Sequence, residues 1–241
     1  MNAAAESPEE KQKISRPGSV QDALVRMIAL ADAREETKLP KERELAEQLG
    51  IGRPLVREEL SKLESLHIVT RRQGSGLYIV PPARRSPEAL VLTENVTPLS
   101  ASSIADAMAV RALLETETAR LAAHNHQQIH LDRMAIEIEE LERCGSQGDD
   151  AARADEAFHR TLAAASGNGM LSQMLELFLR LSWRRRKKYF EQAERGRESI
   201  IEHKEILAAV QLGDPDQAAS AIRKHMGSAE RFWETEPKGN K

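Results

Sequence analysis

The segment Leu39-Pro40-Lys41-Glu42-Arg43-Glu44-Leu45-Ala46-Glu47-Gln48-Leu49-Gly50-Ile51-Gly52-Arg53-Pro54-Leu55-Val56-Arg57-Glu58-Glu59-Leu60-Ser61-Lys62-Leu63 holds two short helix patterns around a glycine-rich turn. Pro40 stands just ahead of the first, Lys41 to Leu49, whose apolar residues Leu45, Ala46 and Leu49 share a face. Gly50 is placed to end it in the left-handed conformation that a residue without Cβ adopts at no steric cost. The second helix opens at Arg53-Pro54, where the missing N–H of proline costs nothing. Val56, Leu60 and Leu63 then recur at i, i+4 and i+7, a stripe that faces a core. Two such helices joined through Gly50-Ile51-Gly52 have the helix-turn-helix layout.

Working outward, Ser19 is predicted to cap an upstream helix that runs to about Arg34, with Val20, Leu24, Met27 and Ile28 on its inner face. Residues 1–15 are small, acidic and aperiodic and read as a disordered tail. Downstream, Ile68-Val69-Thr70 and Leu77-Tyr78-Ile79-Val80 are strand-forming runs around the turn Gln73-Gly74-Ser75-Gly76, which predicts a β-hairpin. Residues 16–82 therefore read as a winged helix-turn-helix: three helices plus a hairpin. Pro81-Pro82 and Pro87 mark residues 83–100 as a linker. From Ala101 to Trp233 only helix-period patterns occur, broken at Gly145–Gly148, Ser166–Gly169, Arg195–Arg197 and Gly213–Pro215. The expectation there is an all-α antiparallel bundle of six or seven helices over residues 101–233, then a tail at 234–241. The fold class is mainly α.

Composition agrees. Hydrophobic residues are 40%, charged residues 30% and aromatics only 3%, a bias toward helix over sheet. Lys38 to Arg85 nets +4 while the whole chain is at −3, so a basic module is attached to an acidic one. Cys144 is the only cysteine, which excludes an intramolecular disulfide and suits a reducing compartment. Met1 to Lys13 lacks the apolar core of a signal peptide, and no apolar run reaches the ~20 residues of a membrane span. A cytoplasmic protein with no membrane partner is expected.

Arg53 and Arg57 share one face at the start of the second helix, turned away from the Val56–Leu60–Leu63 stripe. A recognition helix needs that arrangement, because the planar fork of arginine can bond guanine O6 and N7 together in the major groove. Arg43 is placed to hold a base or phosphate. Arg71 and Arg72 flank the wing, and Gly74 and Gly76 let its tip approach a backbone. The plainer alternative is a set of surface pairs with Glu42, Glu58 and Glu59. The run Leu39-Pro40-Lys41-Glu42-Arg43-Glu44-Leu45-Ala46, then Arg53, Val56-Arg57-Glu58, Leu60 and Leu63, resembles the GntR family of bacterial regulators over about Ser15 to Val80. The resemblance implies that Arg43, Arg53, Arg57 and the wing glycine Gly74 contact operator DNA. It also implies a homodimer on a short palindrome. Gly52 departs from the usual Ser or Thr cap, and Pro54-Leu55 stands where Thr-Pro or Thr-Thr is common, which removes a polar contact and obscures the operator sequence.

In the C-terminal half, Asp155 and His159 are four apart on one helix, and His203 and His225 each lie eleven residues from Asp214 in the turn Gly213-Asp214-Pro215. If antiparallel helices flank that turn, the two histidines lie side by side. Three imidazoles and a carboxylate together suit Zn²⁺ or another divalent transition metal. Spacing alone leaves open the reading of half-buried helical histidines, which His124, His126 and His130 also invite. The elements Asp155-Glu156-Ala157-Phe158-His159-Arg160, Ser166-Gly167-Asn168, Glu202-His203 and Arg223-Lys224-His225-Met226 resemble the FCD ligand-binding domain of FadR-type regulators over about Ile104 to Met226. That resemblance implies Asp155, His159, His203 and His225 as metal ligands, with Zn²⁺ first and Ni²⁺ or Mn²⁺ as competitors. It implies a small organic acid as effector, with Arg111 pairing its carboxylate. Trp183 is a second candidate for the same pocket; a salt bridge for Arg111 and core packing for Trp183 are the plainer alternatives. The cluster Arg184-Arg185-Arg186-Lys187-Lys188 reads as a solvated or dimer-rim face.

The function implied is a DNA-binding transcription regulator, a repressor, under metal and effector control, and not an enzyme. The alternative is a metal-dependent enzyme using the same Asp and three His. No general base pairs with the cluster in sequence, since Glu156 and Glu202 are expected to point elsewhere on their helices. A bundle stapled by zinc with no effector is a third possibility.

Overall fold

Val20, Leu24, Val25 and Ile28 recur at helical spacing along α1 (Pro17–Ala33) and are all buried, which fixes that helix on the N-terminal core. The computed structural model describes residues 17–94, 101–145 and 148–235. The expected tail at 1–15 lies outside them. Helix α1 begins two residues before Ser19, so Ser19 sits inside the first turn rather than capping it.

After α1 come β1 (Lys38–Leu39), α2 (Glu42–Leu49), α3 (Arg53–Ser65), β2 (Val69–Arg72) and β3 (Gly76–Ile79). Gly50 ends α2 at φ 65°, and Gly52 precedes α3 without a side-chain cap, as its lack of a hydroxyl dictates. Val56, Leu60 and Leu63 are fully buried and pack with α1, Leu45 and the strands in one cluster. The strands form an antiparallel sheet in the order β1-β3-β2, with Arg72 opposite Gly76 across the wing turn and Leu39 opposite Leu77. The wing is thus a three-stranded sheet. Two-residue β1 is too short for alternation to betray it, and its neighbour Pro40 reads as a breaker.

The linker expected at 83–100 is structured over its first half. A 3₁₀ turn at Pro82–Arg84 leads to α4 (Pro87–Glu94), whose Ala89 is buried in the N-terminal core. Arg85 fastens the approach by donating to Val80 O at 2.8 Å and to both Asp32 carboxylate oxygens. Pro87 starts this helix rather than breaking one. Residues 95–100 lie outside the described ones.

The chain divides into two units between residues 98 and 99. Every element described in the second unit is a helix: α5 (Ala101–Asn125), α6 (Gln128–Cys144), α7 (Gly148–Ala165), α8 (Gly169–Leu181), α9 (Trp183–Phe190), α10 (Ala193–Leu212) and α11 (Pro215–Thr235). Helix α11 packs along α5 and α10, while α6 packs along α7. Phe158, Leu162, Ile206, Val210, Ala218 and Ile222 form the centre of the main cluster. Helix α11 runs two residues into the expected tail, and the rest of that tail lies outside the described residues. No helix among the described residues is long and apolar enough to cross a membrane.

Candidate functional site

The first unit presents basic residues on three elements, α2, α3 and the wing. The stripe that buries Val56, Leu60 and Leu63 leaves Arg53 and Arg57 exposed on the other side of α3, beside Pro54, Glu58 and Ser61. Arg43 is exposed on α2 and only loosely paired, 3.7 Å from Glu47. At the wing, Arg72 lies with its guanidinium 4.3 Å from the Tyr78 ring centroid, and Gly74 turns the chain at φ 71°. A groove runs between Lys41 and Glu42 on one side and Arg71 to Leu77 on the other. Glu42 bridges the two parts, accepting from Arg57 Nε at 3.1 Å and lying 3.4 Å from Arg71 Nη2; Arg71 also pairs with Glu64. The expected surface pairs therefore exist, but the one to Arg57 crosses between helices, and Lys62 rather than an arginine takes Glu58 and Glu59. These pairs hold the arginines at the surface. Exposed pairs of this kind are worth ~0–1 kcal/mol, so phosphates can displace them.

The second unit brings together the four residues predicted to converge. Asp155 and His159 come from α7, His203 from α10 and His225 from α11, all buried, with one ligand atom from each lying within 4.8 Å of the others. The turn at Gly213 (φ 72°) sets α10 and α11 antiparallel, which puts both histidines at one height. His159 Nε2 and His225 Nε2 face each other at 3.3 Å, and Asp155 Oδ1 lies 3.3 Å from His203 Nε2. Phe158 stacks on the His203 ring at 4.0 Å between centroids and fixes its plane.

Two carboxylates settle the tautomers. Glu115 on α5 lies 3.0 Å from His159 Nδ1, and Glu202 on α10 lies 2.9 Å from His225 Nδ1 while also accepting from Ser228. Burial pushes the Glu115 carboxyl up, but His159 and Arg111 hold it down at about 2. Burial also raises Glu202, and His225 and Ser228 outweigh it. Ionised carboxylates only accept, so each Nδ1 is the donor and each Nε2 is left as the atom turned toward the cluster. Burial lowers the pKa of His159, and that of His203 to about 4, which keeps both rings neutral. The two Nε2 atoms, 3.3 Å apart, need a proton or a metal ion between them, since two bare lone pairs at that distance repel. His203 has both ring nitrogens buried without a hydrogen bond. Burial pushes Asp155 up, but the imidazoles and Arg186 hold it well below the ordinary carboxylate range. A set of lone pairs lacking donors, with one ionised carboxylate, fits a divalent cation.

Beside the cluster lies a cavity lined by Met108, Arg111, Asp155, Arg186, Tyr189 and His225, among others. Arg111 lines it, but its Nε donates to Glu115 at 3.1 Å within the same helix. Trp183 is not brought to the cavity. It is half-exposed, packs against the Tyr189–Phe190 cluster and carries Arg153 on its ring face at 5.2 Å. The basic cluster on α9 is not a wholly solvated face: Arg185 and Arg186 are buried, and Arg186 Nε donates to Asp155 Oδ2 at 2.6 Å. Nor does Glu202 point away from the cluster. Glu115, Glu202 and Arg186 are the participants that sequence reasoning missed. Glu115 lies 44 residues from its histidine partner, and its only trace in sequence is its place four residues after Arg111.

Residues 18–79 match the bacterial regulatory proteins of the gntR family, and residues 106–228 match the FCD domain. The regulator LutR of Bacillus subtilis is 30% identical over 85% of this chain and 94% of its own length. The repressor NanR of Klebsiella aerogenes is 31% identical over 100% of this chain and 93% of its own. The chain belongs to the GntR family. It is a DNA-binding transcription regulator with an FCD domain, the FadR-like arrangement, and not an enzyme. A GntR-like fold agrees with the solved structure of Lar, which controls the expression of the Listeria monocytogenes agr system: TM-score 0.65 at 15% identity, covering 89% of this chain and 97% of that one.

Proposed function

We propose that this GntR-family regulator is a homodimeric cytoplasmic repressor whose grip on a two-fold-symmetric operator is set by a small organic acid bound at a metal site in the FCD domain. The observation that carries the reading is the convergence of the His159 and His225 Nε2 atoms, 3.3 Å apart, with His203 and the Asp155 carboxylate in one buried cluster. Asp155, His159, His203 and His225 hold the ion. Three nitrogens and one oxygen favour Zn²⁺, with Ni²⁺ and Mn²⁺ as competitors. When bound, the ion supplies a concentrated positive charge to which a carboxylate can be attached.

The chain's own residues do the rest. Glu115 and Glu202 fix the ring orientations, and Arg111 at the cavity wall offers a guanidinium to the acid. On the DNA-binding unit, Arg53 and Arg57 read bases from the N-terminal end of α3. Arg43, Arg71, Arg72 and the backbone at Gly74 hold phosphates or the minor groove. Control follows only if the acid favours one arrangement of the dimer over another.

Selection of the metal-loaded protein against a random duplex pool tests this reading. Enrichment of a short two-fold-symmetric motif is the expected result. Arg53→Ala should weaken binding to the selected motif by roughly 1–3 kcal/mol with metal content unchanged. No enrichment over random duplex would defeat the proposal.

A further inference from the structure

The cavity beside the Asp155–His cluster has two unlike sides. One side is Arg111 of α5 with Asp155 and His225; the other is α9, contributing Ser182, Arg185, Arg186 and Tyr189. Of the guanidiniums lining it, Arg111 pairs with Glu115 and Arg186 with Asp155 and Glu156. Arg186 is buried, and its guanidinium is only partly used: Nε donates to Asp155 and Nη1 reaches Glu156 and Leu179 O, at 2.6, 3.3 and 3.1 Å. Its Nη2 is buried with no hydrogen bond, and so is Tyr189 Oη three residues later on the same helix. Both residues are only 6% exposed. Burial raises the Tyr189 pKa, so the phenol stays a donor. Two buried donors lacking an acceptor on one helix are costly, and an acceptor brought by a ligand relieves that cost. An acid bound only through the cluster and Arg111 leaves both unmet.

We infer that the effector is a small dicarboxylate, its first carboxylate at the metal and Arg111 and its second at Arg186 and Tyr189 on α9. The inference rests on the acid-sensing reading above and names the class of acid. A guanidinium takes a carboxylate with two parallel N–H bonds, and a phenol beside it adds a third. Size points the same way: the cavity is about 40 Å³, a few times the ~10–15 Å³ that one water needs. That leaves room for a compact acid.

The test is calorimetric titration of the full-length, metal-loaded protein. Malonate, succinate, glutarate and malate are each compared with their own monomethyl ester, which keeps the shape and removes one charge. At least one diacid should bind tenfold or more tightly than its ester. Tyr189→Phe, which keeps the ring packing against Phe190 and Phe232, should cut diacid affinity about tenfold and leave ester affinity unchanged. Arg186→Gln should abolish the discrimination. Esters that bind as well as their diacids, or a Tyr189→Phe protein with an unaltered ratio, would overturn the dicarboxylate assignment while leaving acid sensing intact. Binding of neither diacid nor ester would overturn both.

Discussion

Glu115 lies outside the four-residue cluster and contacts one of its rings. It fixes the His159 tautomer and sits between that ring and Arg111, at 3.0 and 3.1 Å. Glu115→Gln removes the charge but keeps the shape. Metal affinity, measured by competition with a chromophoric chelator, should fall 10–100-fold while the helical circular dichroism spectrum stays intact. An unchanged affinity would mean that the histidines orient themselves. At this scale the convergence of the four residues was legible and the groups that hold them were not. Asp155 and His159 announce themselves by an i, i+4 spacing, and His203 and His225 by their symmetry about Asp214. Glu115 and Arg186 reach the cluster only through tertiary packing, which no local period records. The α9 basic run misled for a related reason: five consecutive cations look solvated until helix geometry turns two of them inward.

Among elements, α2 and α3, the two helices of the helix-turn-helix, follow directly from their punctuation. Gly50 adopts φ 65° with open space where a Cβ would stand, so Gly50→Ala adds backbone strain and no clash. That substitution should lower stability by about 1 kcal/mol, seen as a lower denaturation midpoint of the DNA-binding unit with metal content unchanged. A neutral result would show that α2 ends without needing the left-handed residue. Proline was the less reliable sign. Pro40 hid the short strand β1, and Pro87 suggested a linker where it starts α4. Proline marks a helix start as readily as a break, and an eight-residue helix between prolines offers too little periodicity to decide.

For the whole molecule, the buried histidines tie stability to acidity. With metal removed by a chelator, His203 has a pKa of about 4 against an ordinary value near 6.5. Between those values the unfolded chain binds more protons than the folded one. Stability therefore falls as pH drops through that window, with a limiting slope of about 1.4 kcal/mol per pH unit for one proton. Thermal melts of the chelated protein at pH 7 and pH 5 should show the loss, and His203→Asn should flatten it. Metal binding, which needs neutral imidazoles, should weaken in the same direction. A pH-independent melt would place these rings in a more open setting than the structure gives them.

Control of transcription by an acid requires coupling between the cluster and the DNA-reading surface. The measurement that tests this coupling is the affinity of the metal-loaded protein for its selected operator, with and without small carboxylic acids, beside His203→Ala. One acid should shift the wild-type affinity by roughly 5–150-fold, the range of ordinary allosteric coupling, and should shift the variant not at all. An operator affinity indifferent to every acid, or shifted equally in His203→Ala, would contradict it.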